Sequence, residues 1–239
     1  MPGTAFRDVL VKATDISGEK TAQLLNDLII RSQKLLENHP VNLKRAAEGK
    51  DKANSIWPWS PGYKPAMQTM RELYGLKSGT VISAVDLIRG IGVYAGLKTR
   101  LVEGATGLYN TNYEGKAQAA IEALKTDDFV YLHVEASDEA GHEGDVSLKI
   151  KTIEYLDQRI VKPIFEEVSK WDEPVTIAVL PDHPTPCAKR THTADAVPFT
   201  IYRPGEAGDK VQVYDEFSCR SGDYGVLREN EFIHTLFKK

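Results

Sequence analysis

The sequence predicts an α/β protein with a mainly parallel sheet flanked by helices. Three observations predict it. Short apolar runs recur at residues 80–84, 99–102, 129–134, 175–180 and 198–202, and segments with apolar residues at steps of three and four lie between them. The chain, with 239 residues of which 41% are hydrophobic, is also long enough for one large domain or a core plus a smaller one. Runs that are apolar throughout suit strands buried on both faces, which requires helices on either side of the sheet.

In chain order, Leu24, Leu25, Leu28, Ile29, Leu35 and Leu36 predict an amphipathic helix over residues 20–38, with Pro40 as a stop. Residues 41–64 are rich in Lys, Asn, Trp and Pro. Within them Trp57-Pro58-Trp59-Ser60-Pro61-Gly62 reads as a rigid aromatic turn, and no regular element is expected there. We place a boundary at this turn, giving a smaller portion at 1–62 and the strand-bearing core at 63–239. The clearest later helix is 148–169, where Ile153, Leu156, Ile160, Ile164 and Val168 form one stripe.

Charge and cysteine usage exclude several classes. A net charge of -4 with scattered basic residues gives no footprint for nucleic acid. The two cysteines, Cys187 and Cys219, have no paired spacing, so neither a disulfide framework nor a thiolate zinc site is indicated and a cytoplasmic location is expected. The apolar runs are too short to cross a bilayer, and the first residues lack the features of a signal peptide, so no membrane partner is expected.

The chemistry gathers in one region. Four of the six histidines fall between His133 and His192. The strand at 129–134 runs into Glu135-Ala136-Ser137-Asp138-Glu139-Ala140-Gly141-His142. The strand at 175–180 runs into Pro181-Asp182-His183-Pro184-Thr185-Pro186, and His192 follows. Ligands in open α/β sheets gather at the carboxyl ends of strands, so Asp138 and His142 are expected to project from a loop into that crevice, with Gly141 allowing close backbone approach. Prolines on both sides of Asp182-His183 stiffen a second ligand loop. An isolated Asp or His is most often a satisfied core or capping group. Two strand ends each carrying an Asp and a His, with a third His nearby, instead point to a divalent-metal site of two carboxylates and three imidazoles. Those donors suit manganese or zinc better than calcium. His133, inside the strand, reads as packing or as support for a ligand, and His39 and His234 as surface residues.

The run from His133-Val134-Glu135-Ala136-Ser137-Asp138 to Gly141-His142-Glu143-Gly144-Asp145 resembles the signature of the archaeal-type, cofactor-independent phosphoglycerate mutases of the alkaline phosphatase superfamily. The resemblance extends through Gly104-Ala105-Thr106-Gly107, Thr111-Asn112-Tyr113-Glu114-Gly115-Lys116-Ala117, Asp182-His183-Pro184-Thr185-Pro186 and Val197-Pro198-Phe199. Upstream it takes in His39-Pro40-Val41-Asn42 and Ala53-Asn54-Ser55-Ile56-Trp57-Pro58-Trp59. It implies an alkaline phosphatase-like core, incomplete at its N-terminal side, at 63–239, and the remnant of a smaller inserted α/β domain that covers the substrate at 1–62.

The resemblance also implies a reaction: interconversion of 3-phosphoglycerate and 2-phosphoglycerate through a phosphoserine on two divalent metal ions, manganese or zinc or magnesium, with no organic cofactor. Asp138, His142 and His192 match the ligands of one metal, and Asp182 and His183 part of the other set. The nucleophilic serine and a further aspartate belong to a preceding segment in that family. The chain therefore reads as a C-terminal part that is inactive alone and needs the missing N-terminal segment as its partner. Arg7 and Asp15 match the covering domain as substrate contacts. Thr14-Asp15 stands where such mutases read His-Asp, which keeps open a homoserine kinase-like or phosphatase reading, or an inactive metal-binding fragment.

Overall fold

The computed structural model describes residues 4–58 and 62–238. It divides into two compact units, Met1–Lys64 and Pro65–Lys239. Part of the aromatic turn read from the sequence, Trp59-Ser60-Pro61, lies outside the described residues.

The first unit holds helices α1, Glu19–Glu37, and α2, Pro40–Ala47, preceded by two short 3-10 turns. The apolar stripe of α1 buries Ile29 completely. Pro40 does more than stop α1. It occupies the first turn of α2, where its missing N–H costs nothing, and His39 caps the new helix by accepting Val41 N–H at Nδ1, 3.3 Å away. A helix thus forms where the sequence predicted none, and His39 has a structural task.

The buried Asn42 explains why this stretch carries specific residues. Its amide nitrogen donates to the carbonyls of Leu36 and Ala53, each at 2.7 Å, and its oxygen accepts Ala53 N–H at 3.0 Å. One side chain therefore closes the C-terminal end of α1 onto the segment that follows α2. Asn42→Leu should destabilise this unit by about 1–3 kcal/mol, because three part-buried hydrogen bonds to backbone groups are lost and the leucine cannot replace them. Urea denaturation checks this, and a loss under about 0.5 kcal/mol would contradict it.

In the second unit, strands β1, Gly79–Ile82, β2, Lys98–Arg100, and β3, Phe129–Leu132, form a parallel sheet in the order β2-β1-β3. Thr80 pairs with Lys98, and Ile82 with both Arg100 and Leu132. Central β1 is buried along its whole length, as its apolar run predicts. Edge strand β2 is polar, and its charges are engaged: Lys98 binds the buried carboxyl of Asp127 at 2.6 Å, and Arg100 pairs with Glu122. Charged side chains on an edge also discourage pairing with another chain.

Helix α3, Met70–Tyr74, precedes β1, helix α4, Asp86–Tyr94, links β1 to β2, and α5, Tyr113–Leu124, precedes β3. Asn112 caps α5 by accepting Gly115 N–H at 2.8 Å. Small residues on α5, Ala117, Ala119 and Ala120, let it lie close to Ile82, Ala136 and Ile160 in the core. The helix predicted over 148–169 is present as α7, Val146–Leu156, and α8, Lys162–Val168, joined by one π-helical segment, Asp157–Val161. From that segment Arg159 reaches back over the rings of Tyr113 and Tyr155 and grips Glu114 with two hydrogen bonds of 2.5 and 2.8 Å.

One detail of the parallel expectation is corrected. Strands β4, Ile177–Val179, and β5, Thr200–Tyr202, pair with each other in antiparallel fashion as a separate two-stranded sheet. The intervening chain turns back along β4, so no helical crossover is needed. Cys187 and Cys219 are free thiols, and no helix among the described residues is long and apolar enough to cross a membrane.

Candidate metal centre

Asp138 and His142 sit on helix α6, Ala136–Glu143, and not on the loop that the sequence suggested. The helix starts directly after β3, and spacing of four places both side chains on one face. Asp138 Oδ2 lies 3.3 Å from His142 Nε2. Opposite them is the loop after β4. Arg190 N–H donates to Pro186 at 2.9 Å and Thr193 N–H to Pro184 at 3.1 Å, which folds this loop into a closed turn. The turn returns His192 onto His183, their ring centroids 3.7 Å apart.

All five predicted ligands meet in this cluster. His192 Nε2 is 3.4 Å from Asp138 Oδ1 and 3.1 Å from His142 Nε2. His183 Nε2 is 3.4 Å from Asp182 Oδ2, while its Nδ1 lies 3.9 Å from Asp138 Oδ1. Donor atoms of Asp138, His183 and His192 all fall within 4.8 Å of one another. Asp138 and His192 are therefore common to that triplet and to the sequence-derived set of Asp138, His142 and His192.

Two features make this a fit for a divalent cation. The first is proton accounting. The Arg190 carbonyl can only accept, so His142 Nδ1, 3.1 Å away, carries the proton. In the neutral ring Nε2 then presents a lone pair to a carboxylate and to a second imidazole nitrogen. That convergence is relieved by a proton on His192 Nε2 or by a cation among the groups. The second is spacing. Donors at about 2.1 Å from a tetrahedral or octahedral ion stand roughly 3.0–3.4 Å apart; the two imidazole nitrogens lie 3.1 Å apart, and each has a different oxygen of Asp138 beside it, Oδ2 at 3.3 Å from His142 and Oδ1 at 3.4 Å from His192.

Around this set lie His133, which the sequence reading gave as packing or as support for a ligand, and further residues that it left aside. The His133 ring, 3.9 Å from Asp182 Oδ2, is the largest influence holding the Asp182 carboxyl down to about 2; burial opposes it and His183 adds to it. His133 also contacts Ser83 at 3.2 Å through Nδ1 and Glu135 at 3.4 Å through Nε2. Burial raises the Glu135 carboxyl above its ordinary value. Lys116 lies buried below the site, 3.4 Å from the His133 carbonyl. Its place in the Tyr113-Glu114-Gly115-Lys116 run was legible, but its burial was not, since lysine is rarely buried.

Gly141 is required by packing. A Cβ there would collide with the Thr185 carbonyl and approach Lys149 Nζ to 2.9 Å. Arg7 and Asp15 belong to the first unit. Arg7 is exposed in the 3-10 turn Phe6–Val9, and Asp15 caps the turn Ile16–Gly18 by accepting Ser17 N–H at 2.9 Å.

With this geometry established, comparison with known proteins decides the family. The model of the metalloenzyme superfamily matches residues 13–237. The chain belongs to the metalloenzyme superfamily. Among members with curated names, it is 49% identical to the 2,3-bisphosphoglycerate-independent phosphoglycerate mutase of Methanosarcina acetivorans and 52% identical to that of Methanosarcina barkeri. Each match covers 99% of this chain and 65% of the relative. The metalloenzyme fold recurs in a solved protein of Pyrococcus horikoshii, at TM-score 0.73 and 34% identity over 88% of this chain and 54% of that one. A cofactor-independent phosphoglycerate mutase from Thermoplasma acidophilum matches at TM-score 0.52 and 26% identity, over 92% and 51%. The chain thus spans about two thirds of the length of its named relatives, and less of these two structures.

Lys116 supplies a pH test of the packing beneath this metalloenzyme site. Burial pushes its ammonium down to about 8 from an ordinary 10.5, with Glu135 opposing. Between those values the unfolded chain binds more protons than the folded one, so stability rises with pH across the window and is lost as pH falls through the lower value. Relative to Lys116→Met, the unaltered protein should gain roughly 1–3 kcal/mol between pH 7.5 and 10.5 in denaturant unfolding. Parallel pH profiles would contradict the burial of this charge.

Proposed function

We propose that the chain forms the cation-binding part of a phosphoglycerate mutase that interconverts 3-phosphoglycerate and 2-phosphoglycerate. In this reading the phosphoryl group passes through a phosphoserine whose serine lies outside these 239 residues, and the chain alone is inactive. The observation that carries the reading is the joining of two carboxylates and three imidazoles in a metalloenzyme core. Its relatives at 49% and 52% identity bear the mutase name.

Asp138, His142 and His192 would hold one divalent ion, and Asp182 with His183 would supply part of the ligands of a second, each manganese, zinc or magnesium. Bound there, such ions neutralise the phosphoryl oxygens and lower the pKa of an attacking hydroxyl. The residues of this chain prepare the place. The Arg190 carbonyl fixes the His142 tautomer, so that Nε2 faces the site. His133 holds the Asp182 carboxyl down to about 2, so that it stays ionised well into acid. Prolines 184 and 186 stiffen the ligand loop against reorganisation. Arg7 and Asp15 are the substrate contacts in this reading, with a small phosphorylated acid as partner.

One observation favours a second reading. Thr14, whose hydroxyl lies 3.4 Å from Asp15 Oδ2, stands where the mutases that the sequence resembles carry a histidine, and a homoserine kinase-like or phosphatase activity on the same scaffold is the alternative this change leaves open.

The chain should be assayed by phosphorus NMR with Mn2+, with and without the unmatched region of the Methanosarcina barkeri relative supplied in trans. Interconversion of the two phosphoglycerates only when that region is present is the expected result. Phosphorylation of homoserine by ATP, or turnover of an artificial phosphate ester alone, would overturn the mutase reading.

A further inference from the structure

The residue that joins the two ligand-bearing segments is not one of the ligands. Thr185 is buried, at 3% exposure, two residues beyond His183. Its hydroxyl donates to Asp138 Oδ1 and lies 3.3 Å from His183 Nδ1. Its carbonyl accepts a 2.6 Å hydrogen bond from Lys149 Nζ, on α7. Helix α7 follows α6 directly and packs on it, and Asp145 fixes its start by accepting Leu148 N–H at 2.9 Å. The ligand loop is therefore tied by the Thr185 side chain to the carboxylate on α6 and by its main chain to α7. Gly141 leaves the space in which both ties run.

We propose that Thr185 and Lys149 are positioning residues for the cation cluster: the Thr185 hydroxyl sets the rotation of the Asp138 carboxylate, and Lys149 sets the depth of the loop. This rests on the reading of the cluster as a metal site. The physical reason is specific to a carboxylate. Its two oxygens offer about four acceptor positions, and an ion engages them well only if the group cannot turn. A donor on Oδ1 holds one position and leaves Oδ2 directed at His142. A lysine on the main-chain carbonyl, in contrast, adds no donor to the cluster. It restrains the loop while its charge stays with the Thr185 carbonyl.

The two roles separate in a binding experiment on the full chain, with Mn2+ as the probe and calorimetry as the readout, alongside thermal unfolding of the metal-free protein. Thr185→Val keeps the shape and removes the donor, and should weaken Mn2+ binding about 10–100-fold, the usual effect of losing a group that orients a ligand. Thr185→Ser restores the donor and should bind within about threefold of the unaltered protein, on that same scale. Lys149→Met should also weaken binding, and Lys149→Arg should recover part of the loss.

Equal Mn2+ affinity in the unaltered protein and Thr185→Val would overturn the inference while leaving the metal site intact. So would a Thr185→Ser variant as weak as Thr185→Val, since that pattern means packing and not the hydroxyl. If Thr185→Val fails to fold, the Ser and Lys149 variants decide: undiminished affinity in Lys149→Met, or weak affinity in Thr185→Ser, overturns it. Failure of the unaltered protein to bind Mn2+ or Zn2+ at all would overturn the metal reading itself, and this inference with it.

Discussion

The second unit is organised around one constraint: acceptor groups from two separate segments must face one another at close range. Carboxylate and imidazole lone pairs repel at close range even where, as at His192 and Asp182, the side chain is half exposed, so their convergence on Asp138 calls for protons or a cation, together with a scaffold that will not let them part. Most of the local structure around the site serves that scaffold. Helix α6 begins as soon as β3 ends, which brings Asp138 and His142 to the carboxyl edge of the sheet. The Pro184–Thr193 turn closes with main-chain hydrogen bonds, and Arg190 adopts φ of 55°, in the left-handed region, within that turn. Strain of that kind persists where surrounding contacts over-determine the backbone, and here the Arg190 carbonyl is the group that fixes His142.

Below the ligands lies a second layer of polar groups whose partners are internal. Ser83 at the end of β1 meets His133 at the end of β3, and His133 faces Glu135 and Asp182. The sheet edge thereby communicates directly with the ligand loop. Lys116 places a positive charge under the same edge, which offsets part of the negative charge gathered above it. These polar groups are thus held by internal partners and need no rearrangement to keep their places around the ligand loop.

The fold and the ligands were legible to different degrees, for physical reasons. Apolar runs lay over β1, β3, β4 and β5, whereas β2, Lys98–Arg100, is a polar edge strand that the run read at 99–102 overlaps by only two residues. The pairing of β4 with β5 was not legible, since direction depends on how the intervening loop turns and not on the residues of either strand. The clustering of Asp and His residues singled out five side chains that the fold gathers in one region, but the placement of Asp138 and His142 on a helix was missed. Eight residues, Ala136–Glu143, are too few to show a hydrophobic period. Helix α2 was missed for the opposite reason: Pro40 was read as an end, and it is a beginning. Thr185 and Lys116 stood in runs that carry the resemblance, but their burial was not legible, and Lys149 carried no signal at all, because threonine and lysine are ordinarily surface residues.

The central claim is that Asp138 and its histidines hold a divalent cation. Anomalous diffraction at the manganese edge, from crystals of the protein grown with Mn2+, tests it most directly. The account predicts a peak within bonding distance of the Asp138 carboxylate and of at least two of His142, His183 and His192. Manganese bound elsewhere, or a cluster that remains metal-free at saturating Mn2+, would contradict it.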